Sequence, residues 1–89
     1  MRIMYSILNI LYSNKANTQL YALTQIDIME AMIADGEKWS DRTIYNKIKE
    51  LRKQGFIRTG LRQGNFNTYY ITSEGVNWMK EVEGDTDNE

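Results

Sequence analysis

Large apolar side chains recur through the first thirteen residues at the spacing of an α-helix. Ile3, Ile7 and Ile10 fall at positions i, i+4 and i+7 and therefore share one face. Further apolar and aromatic side chains lie toward the opposite side of this helix: Tyr5, Leu8 and Tyr12. A helix that is apolar nearly all round packs against neighbours on more than one side. The pattern over residues 1–13 therefore predicts a central helix, and the run is shorter than the ~20 residues of a membrane span.

The next apolar pattern predicts a short strand followed by a second helix. Residues 20–23 are long enough only for a minimal strand. Thr24 is expected to cap the helix, with Asp27 at the third helical position, as in a capping box. The helix should end near Ala34, because Gly36 suits the left-handed residue that follows a helix. Its predicted buried side chains are Ile28, Met29 and Met32.

A third helix is predicted over residues 41–54. Ser40 precedes it as an N-cap, and Gly55 ends it. Its apolar side chains again follow the i, i+4, i+7 rule: Ile44, Ile48 and Leu51. Trp39 stands just before the cap, and we expect it to pack into the turn between the second and third helices.

The pattern then changes from helical spacing to alternation, which predicts a β-hairpin. Residues 56–61 alternate in the manner of a strand, with Ile57, Thr59 and Leu61 on one side, and residues 66–71 are rich in aromatic and β-branched side chains. The turn between them falls at residues 62–65, where Gly and Asn tolerate positive φ.

A last helix is expected to begin after Thr72 and to run to about Val82. The predicted fold is therefore mainly α with a small β-hairpin: a three-helix core, a two- or three-stranded wing and a C-terminal helix. Residues 1–83 form this domain, and residues 84–89 are expected to be a disordered acidic tail because they hold few apolar side chains.

The amino-acid composition excludes several classes of function. The 89 residues suit a single domain and include no Cys and no His, which excludes disulfides, thiol chemistry and His- or Cys-ligated metals. The chain also lacks a Gly-rich phosphate loop, and we expect its acids to be exposed or to cap helices. We therefore expect no enzyme activity, no cofactor and no metal site.

Charge is distributed unevenly although the net charge is only −1. Residues 38–64 contain eight Lys and Arg against two acids, and acids dominate on either side. The outward face of the third helix carries Arg42, Asn46, Lys49 and Lys53 and no acid. Such a face offers cations to phosphates and forked donors to base edges, although a solvated helix face would have the same composition. Thr43 and Tyr45 lie in the half of the helix that would meet the bases.

The hairpin adds a second basic element beside this helix. Arg58 and Arg62 flank the tip, and Asn65 lies within it. A basic tip of this kind suits contact with phosphates or with the minor groove, although charge on an edge strand also protects it from aggregation. For Tyr69, on the returning strand, core packing is the expected role.

Together these segments carry a resemblance to known regulators. Residues 24–28 resemble the start of the first helix of bacterial helix-turn-helix units, and residues 40–57 resemble their recognition helix and its exit. Residues 67–75 are similar to the second wing strand and following helix of the MarR-like and PadR-like winged-helix families. The resemblance implies a dimeric transcriptional regulator that binds operator DNA through the third helix and the wing.

The expected function is therefore sequence-specific binding of double-stranded DNA in the cytoplasm. Helix 41–54 would enter the major groove, and wing 58–67 would lie on the backbone or in the minor groove. No membrane partner is expected, and the sequence identifies no effector. The alternative is a winged-helix module that binds protein instead, such as an anti-repressor or another phage or plasmid regulatory factor.

A homodimer is expected to form through the first and last helices. Outward aromatic and apolar side chains suit such an interface, and the candidates are Tyr5, Leu8, Tyr12 and Trp78. A two-fold dimer would hold two recognition helices ~34 Å apart, which matches successive major grooves.

Overall fold

The computed structural model describes residues 2–87, with side chains through Gly84. The elements follow one another as helix, strand, two helices, two strands and a last helix. Their bounds are α1 Arg2–Ser13, β1 Leu23–Thr24, α2 Gln25–Ala34, α3 Asp41–Lys53, β2 Ile57–Thr59, β3 Thr68–Ile71 and α4 Ser73–Asp87. The predicted order of elements and fold class are confirmed.

The first helix is the centre of the core. It packs against α2, α3, α4 and β3, and its buried side chains point in several directions: Ile3, Met4, Ile7, Leu8, Ile10 and Leu11. This confirms that α1 is surrounded on more than one side. Leu8 is fully buried, with 0% of its surface exposed, which corrects its assignment to a dimer interface. The helical period places Leu8 opposite Ile3 but does not tell whether a neighbouring element covers that side.

Side-chain caps begin three of the helices where the sequence predicts them. The Thr24 hydroxyl accepts a hydrogen bond from the Asp27 N–H at 3.1 Å, and the Asp27 carboxylate accepts one from the Thr24 N–H at 3.1 Å. The Ser40 hydroxyl accepts from the Thr43 N–H at 3.1 Å. The Thr72 hydroxyl accepts from the Gly75 N–H at 3.1 Å. These bonds satisfy backbone donors that a helix leaves without internal partners.

The three strands form one antiparallel sheet in the order β1-β3-β2. Leu23 pairs with Tyr69, and Thr59 pairs with Tyr69 from the other side. The strands are shorter than predicted, and β1 begins at Leu23 instead of Leu20. Tyr69 and Ile71 face the core, so the predicted packing role of Tyr69 is confirmed. Leu61 is exposed and lies beyond the end of β2, because the hairpin departs from regular pairing after Gly60.

The last helix continues to Asp87 and not only to the predicted end near Val82. The predicted start of the acidic tail at residue 84 therefore falls inside α4, and Asn88 and Glu89 lie outside the described residues. Tyr5 donates a hydrogen bond from its hydroxyl to the Glu83 carboxylate at 2.7 Å. This bond ties the later turns of α4 to α1, a contact that local composition does not reveal.

Trp39 does not fill the turn between α2 and α3. Its ring is exposed, and its indole N–H donates to the Glu37 carboxylate at 3.2 Å. Along residues 2–87, no helix is both long enough and apolar enough to cross a membrane.

Candidate nucleic-acid interface

The outward face of α3 follows from its buried stripe. Ile44, Ile48 and Leu51 are at most 1% exposed, so they fix the rotation of the helix about its axis. At ~100° per residue, the side chains between them must turn toward solvent. The predicted base- and phosphate-contacting residues on this face are all exposed: Arg42, Asn46, Lys49 and Lys53.

The beginning of α3 is held by two polar contacts. Ser40 donates from its hydroxyl to the Thr43 hydroxyl at 2.9 Å, in addition to capping the Thr43 N–H. The Gln25 side-chain amide, at the start of α2, donates to the Asp41 carbonyl at 3.0 Å. The Gln25 bond joins the first turns of α2 and α3, whereas the Ser40 bonds are local to α3, where Thr43 is half-buried as a part of the cap. Its hydroxyl therefore stabilises the helix start, whatever else it contacts.

Tyr45 and Lys49 form a local pair on the exposed surface of α3. The Lys49 ammonium lies 5.6 Å from the centre of the Tyr45 ring, which is within the range of a cation–π interaction. Tyr45 is exposed, so the ring remains open to a partner while it restricts the lysine side chain. The pairing is an i, i+4 contact that helix geometry favours.

An open groove of about 540 Å³ lies between the second half of α3 and strand β2. Its lining combines four cations with two uncharged side chains: Lys49, Arg52, Lys53, Arg58, Ile57 and Thr59. Arg52 is an addition to the predicted site residues. The sequence could have indicated Arg52, because it lies three positions after Lys49 and i, i+3 neighbours share a helix face. The groove brings Arg58 of the wing to the same surface as Lys49 and Lys53.

The cations of this groove are not neutralised within the part of the chain whose side chains are described. Among residues 2–84, the ion pair present joins Lys47 and Glu50 at 3.0 Å. Arg42, Lys49, Lys53 and Arg58 face solvent without an acidic partner there. A cluster of like charges repels itself, and a polyanion would relieve that repulsion.

The tip of the wing is a tight and well-bonded turn. Gln63 and Phe66 exchange backbone hydrogen bonds of 2.9 and 3.0 Å around a two-residue loop. Gly64 has φ +62°, and Asn65 does not have positive φ, which is the pattern of a type II′ hairpin turn. The Arg62 guanidinium donates to the Asn65 carbonyl at 2.9 Å. One donor of Arg62 is thus used to hold the turn, and the remaining donors face solvent.

The predicted dimer residues do not form one exposed surface. Tyr5 is half-buried and bonds Glu83, while Trp78 is half-buried and stacks on Phe56 with ring centres 5.5 Å apart. Tyr12 is 45% exposed. With Leu8 in the core, Tyr12 is the member of the four whose side chain is largely available to a partner.

Residues able to hold a metal are not grouped in the described part of the chain, where no three acids come together. The surface of α3 and the wing carries exposed cations, amides and aromatic rings instead.

The fold of this chain matches several solved structures, in its three antiparallel strands, its helical core and the hairpin beside α3. RosR from H. salinarum superposes with a TM-score of 0.76 at 20% identity, over 97% of this chain and 73% of that chain. A PadR family transcriptional regulator from Eggerthella lenta superposes at 0.74, with 18% identity over 91% and 70%. The protein in the MarR-family MepR–DNA complex from S. aureus superposes at 0.73, with 19% identity over 99% and 65%.

The chain has the winged helix-turn-helix fold. The predicted resemblance to MarR-like and PadR-like proteins is confirmed at the level of fold. In this winged helix, α2 and α3 are the helix-turn-helix unit, and β2 and β3 form the wing.

One curated relative also matches in sequence along most of the winged helix. The DNA-binding protein TubR of a Clostridium botulinum C phage is 28% identical over 78 residues, which cover 88% of this chain and 90% of that protein. No family model matches the chain.

Proposed function

We propose that this chain binds double-stranded DNA and acts as a small, sequence-specific transcriptional regulator. Helix α3 would lie in the major groove, and the wing would lie on the backbone or in the minor groove. The observation that carries the proposal is the set of unneutralised cations on α3 and β2, which share one groove. Phosphates dominate protein–DNA affinity, and an array of exposed cations provides for them.

The two halves of α3 would perform different tasks. Arg42, Tyr45 and Asn46 lie in the first half, which helix-turn-helix proteins point at base edges. Arg can bond guanine through two donors, and Asn can bond adenine in the same way. Lys49 and Lys53 lie later, beside Arg58, where they would meet phosphates.

Similar proteins support this proposal. The phage TubR is described as a DNA-binding protein, and MepR is bound to DNA in its solved complex. As a DNA-binding regulator, the chain would work in the cytoplasm without catalytic activity or a cofactor.

The test is a fluorescence-anisotropy titration of a labelled random-sequence duplex at two salt concentrations. We expect salt-sensitive binding, and we expect Arg42→Ala/Lys49→Ala to lower the affinity at least tenfold. Lys49→Ala alone should reduce the slope of log K against log salt by about 0.9, the value for one phosphate contact. Arg42→Ala alone should instead change the preference among duplexes of defined sequence, measured by competition against the labelled duplex.

The matched control is Lys15→Ala/Lys80→Ala, which removes two exposed cations outside α3 and the wing. It should bind nearly as well as the wild-type chain. An equal loss of affinity in the two double variants would show that net charge alone drives binding. No binding at low salt would overturn the proposal and favour the protein-binding alternative.

A further inference from the structure

The wing of this winged helix exposes two large apolar side chains near its tip. Phe66 is 55% exposed, and Leu61 is 54% exposed. Both lie just outside the regular pairing of β2 and β3, at either side of the turn. Isolated apolar residues on a surface are common, but Leu61 and Phe66 flank one turn, and this pair is the apolar patch of the wing. The charges along the hairpin indicate its partner.

The charge around this patch favours a polyanion over a second copy of the chain. Residues 51–73 include no Asp or Glu, whereas Arg58 and Arg62 lie on the wing. Two wings packed together would bring like charges close to each other, which is unfavourable. The tip also carries three amide side chains with donors suited to minor-groove acceptors: Gln63, Asn65 and Asn67.

Hydrogen bonds within the tip and at its base hold the backbone of the turn. The Arg62–Asn65 bond and the paired bonds between Gln63 and Phe66 close the turn. At the base, the Gly60 N–H donates to the Thr68 carbonyl at 2.9 Å, and the Leu61 N–H donates to the Gln19 carbonyl at 3.3 Å. A pre-organised tip presents Phe66 to a partner with little loss of conformational entropy on binding.

We infer that Phe66, with Leu61 at the other side of the turn, is an apolar wedge that enters the minor groove and partly unstacks one base step. Apolar side chains inserted in this way kink the duplex toward the major groove. Pyrimidine–purine steps such as TA unstack most readily, so the wedge favours sites that place a TA step under the wing. The inference rests on the proposed DNA binding. It adds a residue that selects sites by how easily their DNA unstacks, and not by contacts with base edges.

The experiment uses two 30-bp duplexes labelled at their ends with a fluorescence donor and acceptor. One duplex carries repeated TA steps, and the other carries stiff A-tracts. Anisotropy gives the affinity, and energy transfer at saturation gives the bend. The wild-type chain should bend the TA duplex more than the A-tract duplex and bind it more tightly. Phe66→Ala should lose most of the bend and about tenfold in affinity for the TA duplex, the scale of one aromatic–base stacking contact.

Two further variants make the result interpretable. Phe66→Leu keeps an apolar side chain and should retain much of the bend. Ile33→Ala removes an equally exposed side chain, 55%, from α2 and should behave as the wild type does. Circular dichroism shows whether each variant folds.

The outcomes separate the wedge from the proposed function. Salt-sensitive binding with the bend lost in Phe66→Ala supports the wedge. Wild-type and Phe66→Ala chains that bind equally and bend the DNA equally would overturn it and leave DNA binding intact. A wild-type chain that binds neither duplex overturns both, and the patch would then serve a protein partner.

Discussion

Gly75 occupies a position where no larger residue fits without a shift of the backbone. It lies in the first turn of α4, directly against the exit of α3. A Cβ there would overlap the Phe56 carbonyl oxygen and lie 2.9 Å from Ile71 Cγ1. Thr72 reinforces this contact, since its N–H donates to the Phe56 carbonyl at 3.0 Å and its hydroxyl donates to the Gly55 carbonyl at 2.6 Å. The close approach of α4 to the end of α3 therefore depends on a residue without a side chain.

We expect Gly75→Ala to lower the free energy of unfolding by about 2 kcal/mol, because overpacking at a rigid contact has this scale. Urea denaturation followed by circular dichroism measures the change. Gly84→Ala is the matched control, since nothing lies within 4 Å of its added Cβ and Ala favours a helix. The control should be neutral or stabilising by up to ~1 kcal/mol. Similar effects at the two positions would contradict the role of close packing at Gly75.

At the scale of elements, the connection between α2 and α3 is held by Glu37. This connection is longer than the 3–4 residues of a simple helix-turn-helix turn. The Glu37 carboxylate accepts hydrogen bonds from the Ser6 hydroxyl at 2.7 Å and the Trp39 indole at 3.2 Å. Its own N–H donates to the Met32 carbonyl at 2.8 Å. One residue thus joins α1, the end of α2 and the approach to α3.

The same contacts lower the pKa of Glu37 below its ordinary value of 4.5. The hydrogen bond from Ser6 is the main cause, with smaller lowering effects from Trp39 and the charge of Arg2 that partial burial opposes. A carboxylate with a lowered folded-state pKa stabilises the fold above its unfolded pKa. That stabilisation is lost as the pH falls through the folded pKa.

Glu37→Gln should therefore destabilise the protein by about 0.5–1 kcal/mol at pH 7, which is the scale of a hydrogen bond partly open to water. The difference from wild type should shrink as the pH falls below 4.5, the ordinary pKa of the carboxyl group. Urea denaturation at a series of pH values measures this difference in the free energy of unfolding. Glu30→Gln, at an exposed site on α2, is the control for loss of one negative charge. A difference that stays constant from pH 7 to pH 3 would exclude the proposed role of the Glu37 charge.

At the scale of the whole molecule, the number of α3 helices presented together depends on self-association. The described fold measures 44 × 26 × 21 Å. One such unit presents a single α3, whereas a two-fold dimer would present two to successive major grooves. We therefore propose a homodimer, with Tyr12 of α1 at its interface.

Sedimentation equilibrium should give twice the 10.5 kDa of one chain at micromolar concentration. Tyr12→Asp should shift the chain toward the single-chain mass, because a buried and unpaired charge is unfavourable at an interface. Tyr21→Asp makes the same change at an exposed position before β1 and should leave the mass unchanged. A single-chain mass for the wild type at all concentrations would exclude the dimer.

The winged-helix fold and much of the α3 surface were predictable from the sequence because their signals are local. Thr24, Ser40 and Thr72 cap helices through bonds to residues only three positions away. Ile44, Ile48 and Leu51 share a face by helical geometry alone, and their burial places Arg42 and Lys49 in solvent. Gly36 and Gly55, with φ of +84° and +82°, end helices because a positive φ suits glycine.

Only the tertiary structure decided features that depend on distant neighbours. The burial of Leu8 follows from the packing of other elements around α1, and the extension of α4 is accompanied by the contact between Tyr5 and Glu83. The groove that unites Arg52 with Arg58 requires the docking of β2 against α3, and the exposure of Phe66 follows from the way the hairpin closes. Periodicity determines which side chains share a face, but the packing of the whole chain determines which faces are covered and which remain free to bind.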